Sequence, residues 1–118
     1  MKDDDERDLE IIENRKRFVH ALRTTQIVQT IGTLRSQDGN RYCAVGLYCH
    51  ELMGGEGDYS FWSMVRVGDR LGLSPSDIWQ IVSWNDSGCT FAEIAERFEE
   101  ANFKYYKDVR PSKSETHQ

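Results

Sequence analysis

The sequence lacks the features that would place it in a membrane, in a secretion pathway or in a disulfide-rich class. No stretch approaches the about 18 apolar residues that a membrane-spanning helix needs. The chain opens with Met-Lys-Asp-Asp-Asp-Glu-Arg-Asp, which is not the basic-then-apolar order of a secretory signal peptide. Its 3 cysteines are an odd number without framework spacing, which is typical of reduced thiols. These absences predict a cytoplasmic protein.

Basic residues are also too few for a general nucleic-acid binder. There are 15 Lys and Arg against 20 Asp and Glu, which gives a formal net charge of −5. Broad binding to phosphate backbones needs a surface rich in cations, so DNA is not the expected partner. The acidic balance favours a basic partner or none. We expect no cofactor and no membrane association, and the sequence leaves a homo-oligomer open.

The length and pattern predict an α+β fold with a single core. A chain of 118 residues is too short to close a second core. We expect a small, mainly helical domain of four to five helices with one β-hairpin near residues 26–44. The globular domain is expected to span 9–107, after a frayed acidic N-terminus at 1–8 and before a disordered tail at 108–118.

The N-terminal half predicts an amphipathic helix followed by the hairpin. The face of this helix that is expected to be buried consists of Leu9, Ile12, Val19 and Leu22, widened by Ile11, Phe18 and Ala21. Alternating Ile, Val and Thr residues from Gln26 to Arg35 indicate a strand. Asp38-Gly39 is suited to a turn, and Arg41–Ala44 is the expected return strand.

Three short helices are predicted in the range 61–101, each with its own local signal. The first ends at Gly72, Ser74-Pro75 starts the second, and Thr90 starts the third through a capping box with Glu93. The residues expected to face the core are Phe61, Val65, Gly68 and Leu71, then Ile78, Ile81 and Val82, then Phe91, Ile94, Ala95 and Phe98.

The first two of these helices have the spacing of a helix-turn-helix, with Leu71-Gly72-Leu73 at the turn. In that hypothesis the recognition helix runs from Pro75 to Trp84, and the residues that would read DNA are Ser76, Gln80 and Ser83. This helix carries no Lys or Arg, and the helix before it offers only Arg66 and Arg70. The spacing therefore favours a DNA-binding fold, and the lack of positive charge disfavours DNA binding.

A second candidate site is the corner at Trp84-Asn85-Asp86. The favoured interpretation is turn chemistry, with Asn85 as helix C-cap and Asp86 in an Asx turn. The alternative is a surface that contacts a ligand or partner, with Trp79 or Trp84 as its flat apolar part. The candidate binding residues are Trp79, Trp84, Asn85, Asp86, Arg66 and Arg70.

Cysteine chemistry is the third candidate. Cys43 at a helix N-terminus would have a lowered pKa, and His50 would serve as its base. On one helix, residues that are seven apart lie about two turns from each other, which is too far for a direct hydrogen bond. A zinc site from Cys43, Cys49, His50 and Cys89 does not match the usual spacing of ligand pairs. We therefore expect neither an enzyme nor a metal site.

Several short motifs occur in an order that resembles a known group of proteins. They are Phe18-Val-His-Ala-Leu, Gln29 with Gly32-Thr-Leu-Arg, Cys43-Ala-Val-Gly, Leu71-Gly-Leu, and Asn85-Asp-Ser-Gly-Cys-Thr-Phe-Ala-Glu-Ile-Ala. Over roughly residues 15–100 the chain resembles small, mostly uncharacterised proteins encoded by bacteriophages, prophages and some bacteria. The group often has two adjacent cysteines where this chain has Tyr42-Cys43, and a leucine in place of Trp84.

The resemblance implies a phage-type accessory protein acting inside a bacterium, and it brings no established activity. We expect a non-catalytic protein that binds a host protein and counters a host defence or regulatory system. One alternative is a helix-turn-helix DNA-binding regulator. Another is a small-ligand protein that captures a nucleotide in a pocket between protomers.

Overall fold

The computed structural model describes residues 4–55 and 59–106. In chain order the elements are α1 (Asp4–Thr24), β1 (Val28–Gln29), β2 (Arg41–Tyr42), α2 (Ala44–Leu52), α3 (Phe61–Leu71), α4 (Pro75–Asp86) and α5 (Phe91–Ala101). The predicted disordered tail at 108–118 lies outside the described residues, as do residues 1–3 of the predicted frayed N-terminus. None of the described helices has the combination of length and apolar character needed to cross a membrane.

The core lies where α1 meets α2, α3 and α5. Phe18 of α1 is fully buried, and its ring meets Tyr48 of α2 and Phe98 of α5 edge to face, with centroids 5.7 and 5.2 Å apart. Such aromatic pairs add about 0.5–1.5 kcal/mol each beyond the burial of their area. This three-ring cluster joins the two halves of the sequence.

The buried face of α1 differs from the predicted one. Ile11, Phe18, Val19, Ala21 and Leu22 are buried as expected, but Leu9 and Ile12 are exposed. Ile11 packs against Gly72, where an added Cβ would lie 2.6 Å from its Cδ1. A tertiary contact at the end of α3 thus decides which apolar residue of the first turns points inward.

The predicted helix starts in the C-terminal half are confirmed. The Ser74 hydroxyl accepts from the backbone N–H of Asp77 at 3.1 Å, and the Asp77 carboxylate accepts from the Ser74 N–H at 3.3 Å. Thr90 and Glu93 form the same reciprocal pair at the start of α5. Gly72 ends α3 with φ +65°, a conformation that glycine adopts without a Cβ penalty. Caps of this kind stabilise a helix by about 1 kcal/mol.

The predicted β-hairpin is wrong in most of its pairing. β1 and β2 pair in parallel, with Val28 opposite Arg41 and Gln29 opposite Tyr42. After β1 the chain turns at Gly32, which has φ +86°, and returns so that Arg35 makes a single antiparallel bridge to Tyr42. The glycine interrupts the strand predicted over 26–35, so that only its last residue takes a hairpin position. The described fold is therefore mainly helical with a small two-stranded parallel sheet.

Candidate functional site

An open groove of about 400 Å³ lies between α3 and α4. Its exposed apolar lining consists of Phe61, Trp62, Val65, Trp79 and Tyr106. We call this groove the aromatic groove. Trp62 is 68% exposed and Trp79 is 53% exposed, although both are large apolar side chains. Side chains of this size usually find cover within a fold, so their exposure marks the groove as a candidate binding surface.

Close packing of the two helices sets the shape of the groove. Gly68 of α3 has no side chain, and a Cβ there would lie 3.2 Å from both Ile78 Cγ1 and the Leu73 carbonyl oxygen. The two helices therefore approach each other closely at Gly68. Phe61 and Val65 were predicted to face the core, but they are exposed along the groove instead. The core side of α3 is formed by Met64, Val67 and Leu71.

The charged residues that line the aromatic groove are Arg7 and Asp69. The Arg7 guanidinium lies 3.5 Å from the Asp69 carboxylate, and the Asp69 side chain is 68% exposed. Exposed ion pairs contribute about 0–1 kcal/mol, because water screens them and holding both side chains costs entropy. The groove is thus close to neutral, and its binding capacity rests on apolar area.

The structure separates the candidate binding residues into three locations. Trp79 lines the aromatic groove, together with Trp62, which the sequence did not single out for binding. Trp84 is half-buried, with its ring 6.1 Å from that of Phe103. Arg66 and Arg70 are exposed on a different side of α3 and lie outside the groove.

The two arginines of α3 lie within electrostatic reach of α2. The positive charge of Arg66 acts on the thiol of Cys49, and that of Arg70 acts on the hydroxyl of Tyr48. In each case the charge moderates a rise in pKa that burial causes. Neither arginine belongs to α4, so the predicted recognition helix has no positive charge of its own.

α3 and α4 are consecutive helices joined through a turn at Gly72–Ser74. The proposed DNA-reading residues Ser76, Gln80 and Ser83 are all exposed along α4. They do not line the aromatic groove, and α4 contains no Lys or Arg. DNA binding stays a hypothesis, and the missing positive charge on α4 argues against it.

The Asn85 side chain, a candidate for partner contact, is fully buried. Its Oδ1 accepts from Gln29 Nε2 at 2.8 Å and from the backbone N–H of Ala44 at 3.1 Å. Its Nδ2 donates to the carbonyl oxygen of Thr30 at 2.8 Å. One side chain therefore joins α4 to the segment after β1 and to the first residue of α2. We call the set Gln29, Thr30, Ala44, Asn85 and Asp86 the polar corner.

The predicted turn chemistry at this corner is wrong in detail. α4 continues through Asp86, and Ser87 is its C-cap, so Asn85 is a helical residue and not the cap. The exposed Asp86 accepts from the backbone N–H of Gly32 at 2.9 Å, which ties the loop after β1 to the end of α4. Gly88 has φ +107°, as the predicted helix break requires.

The cysteine hypothesis required a lowered pKa for Cys43, and the burial of this thiol opposes it. Cys43 is the N-cap of α2, and its Sγ accepts from the Gly46 N–H at 3.4 Å. Burial removes water from the thiolate and raises the pKa of Cys43 to about 11 despite this bond. Burial likewise raises the pKa of Cys49 to about 11. At neutral pH both are protonated thiols, which are poor nucleophiles.

The proposed partner of Cys43, His50, is stacked on the ring of Tyr42 with centroids 4.6 Å apart. Within residues 4–55 and 59–106, no group of three or more His, Cys, Asp or Glu side chains could hold a metal ion. The aromatic groove and the polar corner are therefore the two features that need an explanation. The polar corner is explained by folding, because the amide of Asn85 is fully buried and both its oxygen and its nitrogen are hydrogen-bonded.

Comparison with known proteins found no relative that bears on either feature. A scan against protein-family models gave no match, and searches of curated proteins and of solved structures gave none.

Proposed function

We propose that the protein is a non-catalytic binding module that holds a partner protein in the aromatic groove. The observation that carries this proposal is the exposure of two tryptophans, Trp62 at 68% and Trp79 at 53%, on facing helices of one groove. Covering apolar area gains about 25 cal/mol per Å². Tryptophan is also the residue type most enriched among side chains that dominate binding energy.

The size of the apolar surface supports the same proposal. The five exposed side chains of the groove are between 37% and 68% exposed. Since Phe, Tyr and Trp present about 150–250 Å² each, the combined apolar area is on the order of 500 Å². The largest apolar patch of a typical monomer is about 300–600 Å² and is often functional. A patch of this size is sufficient for a partner segment.

The proposal of a non-catalytic role rests on the chemistry of the site. The ionisable groups at the groove are Arg7 and Asp69, which pair with each other, and Tyr106. The buried thiols of Cys43 and Cys49 have raised pKa values and lie away from the groove lining. No nucleophile with an adjacent base meets the groove among the described residues, so apolar binding is the chemistry that this surface supports.

The identity of the partner is proposed from the sequence. The resemblance to phage-encoded accessory proteins supports a host protein as the partner and the blocking of a defence or regulatory system as the outcome. The net charge of −5 supports a partner with a basic surface, because opposite charges speed association.

A comparative capture experiment tests the proposal. The whole chain and its double variant Trp62→Ser/Trp79→Ser are immobilised and exposed to bacterial lysate, with Ile31→Ser as a control that also removes an exposed apolar side chain. We expect a host protein that the wild type and the control retain and the double variant loses, and that binds again when purified. Recovery of chaperones alone, or equal recovery by all three proteins, would count against the proposal.

DNA binding is a second candidate, supported by the helix-turn-helix spacing of α3 and α4. It is the weaker one because α4 has no cation of its own. Titration with labelled duplex DNA at low salt tests it, since electrostatic attraction is strongest there. Absence of binding under that condition would eliminate DNA as the ligand, and loss of binding in Gln80→Ala would support it.

A small ligand is a third candidate, because the groove volume of about 400 Å³ falls within the range of ligand sites. A nucleotide would need cations for its phosphates, and among the described residues that line the groove the one cation is Arg7, which pairs with Asp69. A thermal-shift screen with nucleotides tests this candidate, since a ligand that binds the folded chain raises the melting temperature, and does so further as its concentration exceeds the Kd.

A further inference from the structure

We infer that the occupant of the aromatic groove is a single amphipathic α-helix of the partner, with large apolar side chains along one face and basic residues elsewhere. This inference rests on the proposed function and specifies its partner. It follows from what the walls of the groove offer to a bound chain. They offer apolar area and almost no backbone hydrogen bonding.

The backbone groups at the two helix ends beside the groove already have partners. At the end of α3, the carbonyl oxygen of Gly72 accepts from Arg15 at 3.1 Å and from the Tyr106 N–H at 2.9 Å. The carbonyl oxygen of Leu71 accepts from Arg15 at 2.7 Å. At the start of α4, Ser74 and Asp77 satisfy each other through the capping box.

Because these backbone groups already have hydrogen-bond partners, the groove favours a helical occupant over an extended one. An extended peptide in an apolar groove would bury N–H and C=O groups without partners, at a cost of about 1–3 kcal/mol for each. A helix satisfies these groups within itself and brings only side chains to the groove. The described sheet edge is not available as a substitute, because β1 and β2 are two residues long and do not line the groove.

The dimensions of the groove indicate a short helix. The lining residues of α3 run from Phe61 to Asp69, which at 1.5 Å per residue is about 12 Å. A partner helix packed along this length would place two or three anchors at i, i+3 or i+4, and i+7. Trp62 on α3 and Trp79 on α4 would contact these anchors from opposite sides.

Charge argues against a second copy of this chain as the occupant. A two-fold dimer through this surface would bring together two chains of net charge −5. Like charges brought close together disfavour association.

The chain's own C-terminal segment is an equally poor occupant. Residues 107–118 follow Tyr106 directly, but their sequence contains one aliphatic residue, Val109, and Pro111 soon after it. One anchor leaves most of the groove uncovered, and proline interrupts a helix. A separate helix with basic outer positions matches both the apolar groove and the acidic protein better.

A peptide selection tests the inference. The full chain is used to select from a random display library of peptides of about 16 residues, long enough for about four helical turns. We expect the recovered sequences to show apolar residues at i, i+3 or i+4, and i+7, with Lys or Arg between them. Synthetic copies should bind Trp62→Ser/Trp79→Ser at least about tenfold more weakly, since both are hot-spot side chains. They should bind the Ile31→Ser control like the wild type.

Replacing a central residue of a selected peptide by proline should also lower its affinity at least about tenfold, because proline breaks the helix. Selected peptides that need both tryptophans but alternate apolar and polar residues, or tolerate the proline, would overturn the helical occupant and leave the proposed function standing. Recovery of no peptide that depends on the tryptophans would overturn both. If the wild type sediments as a dimer and the double variant sediments as a monomer, the occupant is a second copy of this chain and the inference is overturned.

Discussion

The two ends of α4 use their side chains in opposite ways. Near its start, Trp79 is 53% exposed and contributes to the aromatic groove, whereas Asn85 near its end is 0% exposed. The amide of Asn85 forms hydrogen bonds to three residues in two other segments of the chain, whereas about half of the Trp79 side chain is in water. Asn85 stabilises the fold, and Trp79 is accessible to another molecule. Stability and binding should therefore be separable by mutation.

The largest expected effect lies at the polar corner. Asn85→Ala should lower the free energy of unfolding by about 3–5 kcal/mol. The buried Ala44 N–H and the Thr30 carbonyl oxygen lose their Asn85 partner, and the Gln29 amide loses one of its two acceptors. Urea denaturation followed by circular dichroism measures the change. Ser83→Ala, an exposed position on the same helix, should change stability by less than about 0.5 kcal/mol. A loss below about 1 kcal/mol for Asn85→Ala would contradict the structural role of this corner.

The thiols beside the polar corner predict a loss of stability at high pH. Burial raises the pKa values of Cys43 and Cys49 from 9.0 to about 11. The folded chain then keeps protons that the unfolded chain loses, so this stabilisation is complete below about pH 9 and is lost as the pH rises to about 11. Two pKa units correspond to about 2–3 kcal/mol for each thiol.

Denaturant unfolding of the wild type at pH 8, 9.5 and 11, set against Cys49→Ala, checks this pH effect. The variant should lose less stability between the lowest and highest of these pH values than the wild type does. An identical pH dependence in both proteins would show that the buried thiol is not the source.

Two glycine substitutions compare close packing at α2 with close packing beside the aromatic groove. A Cβ at Gly46 of α2 would lie 1.9 Å from the backbone oxygen of Leu34, so Gly46→Ala should cost about 2–3 kcal/mol through forced backbone movement. At Gly68 beneath the groove the nearest atoms are 3.2 Å away, and the gain in helix propensity offsets part of the strain. Gly68→Ala should therefore change stability by less than about 1 kcal/mol. Equal thermal-denaturation effects would contradict this difference.

The smallest effect on folding is expected at the groove itself. Trp62→Ser and Trp79→Ser should each change the free energy of unfolding by less than about 1 kcal/mol, because these side chains are mainly in water. The same variants should lose partner binding. Chemical denaturation next to the binding assay measures both, and a loss above about 2 kcal/mol would place the tryptophans in the core.

Local signals in the sequence predicted the helices of the C-terminal half. The Thr90–Glu93 capping box, the αL end at Gly72 and the buried stripe of α5 depend on residues that are three or four positions apart. Such signals are complete within one turn of helix and need no knowledge of the rest of the fold.

Features that depend on distant segments were missed. The parallel pairing of β1 with β2 and the burial of Asn85 both depend on where the loop at Gly32 crosses α4. The aromatic groove escaped prediction because helical spacing locates the apolar stripe of α3 but does not say whether another element covers it. The exposed Trp62 and Val65 are part of that uncovered stripe.

The three tryptophans allow one measurement of the central claim, since Trp62 and Trp79 line the aromatic groove and Trp84 packs near the polar corner. The whole chain is labelled with 5-fluorotryptophan and titrated with a selected helical peptide while fluorine NMR spectra are recorded. The resonances of Trp62 and Trp79 should shift with a common saturation curve, and that of Trp84 should stay in place. Movement of Trp84 alone, with both groove resonances unchanged, would contradict the assignment of binding to the groove.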